Sequence, residues 1–194
     1  MKKVLIITYY WPPMGGGGVQ RWLKTSKYLR DFNWVPIICT AKDAETSMFD
    51  KSLEDDVQEN VDVIKVPIWE PFKLYRLLTG RKNEKINPGF LKKSKNESIF
   101  EGLSLWIRGN VFIPDAKIFW YSPAVRKLSQ YLRNNKVDIV VSTGPPHTTH
   151  LIAMKVSRKF NIPWLADFRD PWTNIDFYHK LNLSSRANKI HKNL

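Results

Sequence analysis

The chain begins with the apolar run Val4-Leu5-Ile6-Ile7, continues through Tyr9-Tyr10-Trp11-Pro12-Pro13-Met14, and then sets four consecutive glycines, Gly15 to Gly18, directly before Val19-Gln20-Arg21-Trp22. Val19, Trp22, Leu23 and Leu29 recur near helical spacing, so the opening predicts a strand, a glycine loop and an amphipathic helix from about Gly18 to Asp31. Residues without a Cβ accept positive φ and let backbone N–H groups approach a ligand. The first helical turn behind them adds unpaired donors and a positive dipole end. Gly15, Gly16, Gly17 and Gly18, with Arg21 a turn further on, are therefore candidates for holding a phosphate or a sugar, and a flexible turn without a ligand is the competing reading. Gly16 and Gly17 are the positions expected to need positive φ or close approach. The loop is not a Walker loop, because the nearest lysine, Lys24, lies a turn into the helix. The dinucleotide fingerprint also fails, since Gly16 and Gly18 match its first two glycines but Arg21 stands at the third.

The same alternation continues. Asn33 is a helix stop, Val35 to Thr40 a second strand and Val61 to Val66 a third, with an acidic loop holding one short helix from Asp43 to Asn60. Helices are predicted at Glu70–Leu78 and Ile99–Arg108, separated by a basic insertion at about 80–97 that carries Arg81, Lys82, Lys85, Lys92, Lys93 and Lys95. A helix from Ser122 to Asn134 follows. The last third predicts a strand at Val137–Ser142, a tight loop at Thr143–Pro146, a helix at His147–Phe160 and a strand at Ile162–Ala166. This is the pattern of an α/β fold with a Rossmann-like, doubly wound parallel sheet. In such sheets ligands bind beyond the C-terminal strand ends, where Gly15 to Gly18, Thr143 to His147 and Asp167 to Trp172 are expected to converge.

With 194 residues, 43% of them hydrophobic, the chain suits one domain that buries roughly 70% of its unfolded surface. Cys39 is the only cysteine, which excludes an internal disulfide. His147 and His150 are three apart without an evident third ligand, so no metal site is expected. No apolar run approaches the roughly 20 residues that span a bilayer, and Val4 to Ile7 is too short for a secretory signal. A cytoplasmic location is the expectation. The net charge of +13 fits nucleotide phosphates or an anionic membrane surface. Nucleic acid is not expected, because no helix-turn-helix, zinc-finger spacing or aromatic RNA-binding signature accompanies the charge.

The segment Asp167-Phe168-Arg169-Asp170-Pro171-Trp172 sets two carboxylates around a guanidinium just after a strand. A carboxylate accepts a sugar hydroxyl's hydrogen bond or its proton, and an arginine holds phosphate bidentately. Asp167, Arg169 and Asp170 are the candidate catalytic residues, with an internal Arg–Asp pair bracing the loop as the alternative. Gly144 and His147 are candidate substrate-binding residues, although His147 equally suits a capping role.

The Tyr-Tyr-Trp-Pro-Pro-x-Gly-Gly-Gly-Gly opening, the Ser142-Thr143-Gly144-Pro145-Pro146-His147-x-x-His150 loop and the Pro163-Trp164-x-Ala166-Asp167-Phe168-Arg169-Asp170-Pro171-Trp172 segment together resemble the N-terminal domain of a retaining GT-B glycosyltransferase of family 4. The resemblance implies two Rossmann-like domains facing each other across a cleft. It also implies a nucleotide-sugar donor as substrate with no further cofactor, and a saccharide or lipid-linked saccharide acceptor held mainly by the N-terminal domain. Many relatives carry a histidine in the loop where this chain has Asp167 to Asp170. On this reading residues 1–175 form the N-terminal domain, and 176–194 begin the connection to a donor-binding domain, so the 194 residues are a truncated chain that is inactive alone. A non-enzymatic module binding anions, nucleic acid or membrane is the competing class.

Overall fold

A computed structural model of the chain describes residues 1–42, 44, 46, 48–59, 61–68, 106, 107, 109–176 and 178–194. The expected helix at Glu70–Leu78, most of that at Ile99–Arg108 and the basic insertion at about 80–97 lie outside them. The chain divides into two compact units, Met1–Ile68 with Phe119–Trp172, and Trp69–Ile118 with Thr173–Leu194.

The first unit is an α/β fold around five parallel strands: β1 (Lys2–Ile7), β2 (Trp34–Lys42), β3 (Asp62–Pro67), β4 (Ile139–Gly144) and β5 (Trp164–Phe168), in the order β3-β2-β1-β4-β5. Helices α1 (Gly17–Tyr28), α2 (Tyr121–Asn134) and α3 (Thr148–Phe160) alternate with them. The crossover through α1 moves outward from β1 to β2, and that through α3 moves from β4 to β5 in the opposite direction. Right-handed connections therefore place α1 and α3 on opposite faces of the sheet, and the switch point falls between β1 and β4.

The core explains the apolar runs. Val4, Leu5, Ile6 and Ile7 are buried in the central strand, flanked by Ile37, Ile38 and Cys39 of β2 and by Val140 and Val141 of β4. Near-continuous burial is what a parallel strand covered on both faces requires. Val19 and Leu23 of α1, Leu128 and Leu132 of α2, and Ile152 and Val156 of α3 cover those faces. The aromatic segment after β1 is core as well. Tyr9 is 1% exposed and meets Trp120 edge-on at 5.5 Å, while the Thr40 hydroxyl donates to the Tyr9 carbonyl at 3.0 Å. Burial pushes the Cys39 thiol's pKa far up, which leaves it a small inert core residue.

Several boundaries differ from the sequence expectation. The first helix ends at Tyr28 and tightens into a 3-10 turn over Leu29–Phe32, after which Asn33 takes the left-handed conformation at φ 62°. β2 begins at Trp34 despite Pro36, because β3 pairs only from Ile37 onward and Pro36 owes no hydrogen bond on that side. The short helix expected between β2 and β3 is a 3-10 turn at Lys51–Glu54. Both late strands lie two residues further along than their apolar runs. Thr143 and Gly144 belong to β4 rather than to a tight loop, and Asp167 and Phe168 belong to β5 rather than following it. The physical reason is the ladder, which pairs Thr143 with Asp167 and Gly144 with Phe168 whatever their polarity.

In the second unit α4 (Ser185–Asn193) starts on a Ser184 side chain that accepts from Ala187 N–H, and the Asn110 side chain accepts from Ser184 N–H at 2.7 Å. The His191 ring lies 3.2 Å from the Gly109 carbonyl. Among the described residues, no helix is long and apolar enough to cross a membrane.

Candidate functional site

The site grows from the C-terminal ends of β1, β4 and β5. Gly16 has φ 107°, a conformation that only glycine adopts cheaply, and its carbonyl accepts from Val19 and Gln20 to begin α1. No side chain caps that helix and no acidic residue stands in its first turn. A Cβ on Gly17 would meet nothing within 4 Å. The start of α1 thus has no capping side chain and leaves Gly17 open beside a positive dipole end.

The four glycines do different work. Gly15 donates its N–H to the Met48 carbonyl at 2.9 Å, and a Cβ there would lie 3.2 Å from that of Asp50. Gly16 carries the backbone turn. Gly17 is open. The space expected to admit a ligand at Gly18 is taken instead by Arg169, because a Cβ on Gly18 would fall on the guanidinium, 2.9 Å from its Cζ. Close approach is thus needed at Gly18, and positive φ at Gly16 rather than at Gly17.

Arg169 is fixed from the other side. Its Nε donates to the Gly144 carbonyl at 3.0 Å and its Nη2 to the Pro145 carbonyl at 2.7 Å. Neutral carbonyls position this cation without cancelling it. Burial lowers its pKa, opposed by the nearby Asp170 and Asp167 carboxylates. The alternative reading, an Arg–Asp ion pair within the Asp167–Asp170 segment, does not form among the described residues. Asp167 instead accepts from Arg21 Nη1 at 3.3 Å, Trp22 Nε1 at 2.8 Å and Thr143 Oγ1 at 2.9 Å, tying α1, β4 and β5 together. A carboxylate that accepts from three donors is held in one orientation, which suits positioning better than proton transfer. Asp170 is exposed and stands beside Arg169.

Behind Arg169 lies a second cluster that the sequence reading did not assemble. Trp164 Nε1 donates to Ser142 Oγ at 2.8 Å, and Ser142 Oγ meets His150 Nδ1 at 2.8 Å. His150 is 2% exposed, and burial is the main cause that drops its pKa to about 4, so the ring is neutral at pH 7. Its Nε2 is buried against Gly144, where a Cβ would lie only 2.5 Å away. Gly144 therefore makes room for His150 rather than for a ligand. His150 stacks on Phe168 at 4.2 Å, and His147 stacks on Trp172 at 4.5 Å.

The structure thus brings Gly18, Arg21, Gly144, His147, Asp167 and Arg169 to one edge of the sheet, and it sets Gly15 against residues 48–50. Trp22, Thr143, Ser142, His150, Phe168 and Trp172 were not singled out as site residues. For all but Trp22 the signals were the Ser142–His150 and Pro163–Trp172 segments that carry the resemblance, and the i, i+3 spacing of His150 from His147, the residue that precedes α3. Among the described residues, no three His, Cys, Asp or Glu side chains gather to hold a metal.

No family model and no curated protein matches the sequence. Solved structures align with it over most of its length at low identity. Apo UGT2 of Phytolacca americana aligns with a TM-score of 0.47 and 12% identity over 87% of this chain, which spans 29% of that protein's length. The same plant protein complexed with UDP-2fluoro-glucose and pterostilbene gives a TM-score of 0.43 and 11% identity over 87% of this chain and 30% of that one. The C-terminal domain of the PF1911 hydrogenase from Pyrococcus furiosus gives 0.45 and 14%, covering 86% of this chain and 90% of that domain.

Proposed function

We propose that this chain is the acceptor-side domain of a retaining GT-B glycosyltransferase resembling family 4, using a nucleotide-sugar donor and a saccharide or lipid-linked saccharide acceptor. The observation that supports this reading most is the uncapped glycine start of α1, with Arg169 over Gly18 and Arg21 one turn along, at the switch-point edge of a parallel sheet. In the reaction the bond from the sugar's C1 to the diphosphate oxygen breaks, its electron pair leaving with the phosphate. A bond forms from C1 to an acceptor oxygen, whose proton passes to the departing diphosphate. The N–H groups of Gly17 and Gly18, Arg169 and Arg21 stabilise the charge that grows on the diphosphate. A helix end contributes about 0.3–2 kcal/mol toward an anion, so these groups assist a cationic donor site on a second domain and do not replace it. Asp167 orients Arg21, and Asp170 is the carboxylate left to accept a hydroxyl. The +13 charge supports a place at the cytoplasmic face of an anionic membrane.

The test is calorimetric titration of the 194-residue chain with UDP, GDP and ADP at low salt. The expected result is weak, salt-sensitive binding of at least one, reduced about tenfold by Arg169→Gln. Wild-type affinity in the folded Arg169→Gln variant overturns the phosphate site. Steep salt-dependent binding to random oligonucleotides with no nucleotide diphosphate bound favours the non-enzymatic reading.

A further inference from the structure

Four rings at the C-terminal end of β5 form two side-by-side stacks: His150 with Phe168 and His147 with Trp172. The His147 and Trp172 planes are nearly parallel, and the other pairs are tilted. The angle is 12° between His147 and Trp172, 29° between His150 and Phe168, 31° between the two histidines and 38° between Phe168 and Trp172, whose centroids lie 6.3 Å apart. His150 is buried beneath Phe168, while Phe168 itself is 49% exposed. One face of the Phe168 ring rests on the His150 imidazole, with His147 and Trp172 at 6.1 and 6.3 Å, so what the ring has to offer a ligand is its other face and rim. The support runs deep. Trp164 Nε1 holds Ser142 Oγ, Ser142 holds His150 Nδ1, and the missing Cβ of Gly144 lets the imidazole come in under Phe168. An aromatic side chain resting on the buried, hydrogen-bonded pair of Ser142 and His150, yet left half open at the ligand edge of the sheet, is preorganised for contact.

We infer that the outer face of Phe168 is a stacking platform for a neutral pyranose ring, the acceptor sugar of the proposed transferase. The negative π-face of the benzyl ring attracts the weakly positive C–H groups on one face of a pyranose. Asp170, two residues on and exposed, supplies an acceptor for ring hydroxyls and repels an anionic nucleotide, which separates this position from the phosphate-facing end of α1. The inference rests on the transferase reading only in naming the sugar as acceptor; the platform itself is a binding claim.

The experiment is saturation-transfer NMR of the 194-residue chain with methyl α- and β-glucopyranoside, galactopyranoside and mannopyranoside. Titrations follow in wild type, Phe168→Tyr and Phe168→Leu, each checked by its urea midpoint. At least one methyl glycoside is expected to bind with a Kd of about 1 mM, to keep its affinity within about twofold in Phe168→Tyr, and to lose about fivefold to tenfold in Phe168→Leu, which retains bulk but has no π-face. Wild-type affinity in folded Phe168→Leu, or no glycoside of the panel bound by wild type, overturns the platform. Because the probes carry no nucleotide, failure of the phosphate titration leaves this result unchanged, and the two readings fail separately.

Discussion

Two helices begin at the switch point, α1 after β1 and α3 after β4, and the fold treats their N-termini in opposite ways. The start of α1 carries no cap: Gly16 offers no side chain, Gly17 has nothing within 4 Å of its Cβ direction, and the one side chain lying over the next residue, Gly18, is the Arg169 guanidinium. The start of α3 is packed. Thr148 and Thr149 are 0% exposed, and the Thr149 hydroxyl reaches both the Thr143 and Pro146 carbonyls, at 2.9 and 2.8 Å. Topology delivers two equivalent dipole ends to the same edge, and side chains decide which stays available. The consequence is a division of labour: α3 braces Gly144 and the rings under Phe168, while α1 faces outward.

The comparison breaks most visibly at His150. Its ordinary pKa of 6.5 falls to about 4 in the fold, so the unfolded chain binds the extra proton first. The stability that the neutral ring contributes is complete above pH 6.5 and is lost as pH falls from there toward 4, by about 3 kcal/mol in all. Urea unfolding at pH 7 and pH 4.5 should show a steeper loss in wild type than in His150→Gln. Equal losses would mean that the packed end is wetter than it looks.

A somewhat smaller effect is expected at Gly144. Gly144→Ala drives a Cβ to 2.5 Å from His150 Nε2, and overpacking of this kind costs about 1–3 kcal/mol. The cost should shrink in the His150→Ala background, making the double-mutant cycle non-additive; simple additivity would place the strain elsewhere.

At the open end the sign reverses. Gly17→Ala meets no atom and sits inside a helix, so it should stabilise by about 0.4–1 kcal/mol, seen as a raised Tm. A lowered Tm would show that the α1 start is less open than Gly17 makes it. Gly16→Ala must take φ 107° and should lose stability, which makes Gly17 the cleaner position at which to probe the loop's function.

The residues that could be placed from their neighbours in sequence were those whose burial repeats with a period. The buried runs of β1 and β2 and the inward stripe of α1 followed from such spacing. The ends of β4 and β5 did not, because Thr143, Gly144 and Asp167 are polar or small and enter the sheet only through the partner strand. The site divides the same way. The glycine run and the Asp-Phe-Arg-Asp segment stood out at once, yet the pairing of Asp167 with Arg21, Trp22 and Thr143 links positions far apart in the chain.

By itself the sequence determined the α/β alternation, the glycine entry to α1 and the edge at which the polar segments meet, since all three follow from local periodicity, turn chemistry and the handedness of crossovers. Tertiary structure alone decided which glycine is open and which is filled. Gly17 and Gly18 are chemically the same residue, and what separates them is Arg169, brought across from the end of β5 and fastened to the Gly144 and Pro145 carbonyls. Excluded volume and hydrogen-bond geometry between distant segments exist only once the sheet has set β1, β4 and β5 in order, so no local reading of a glycine run contains them.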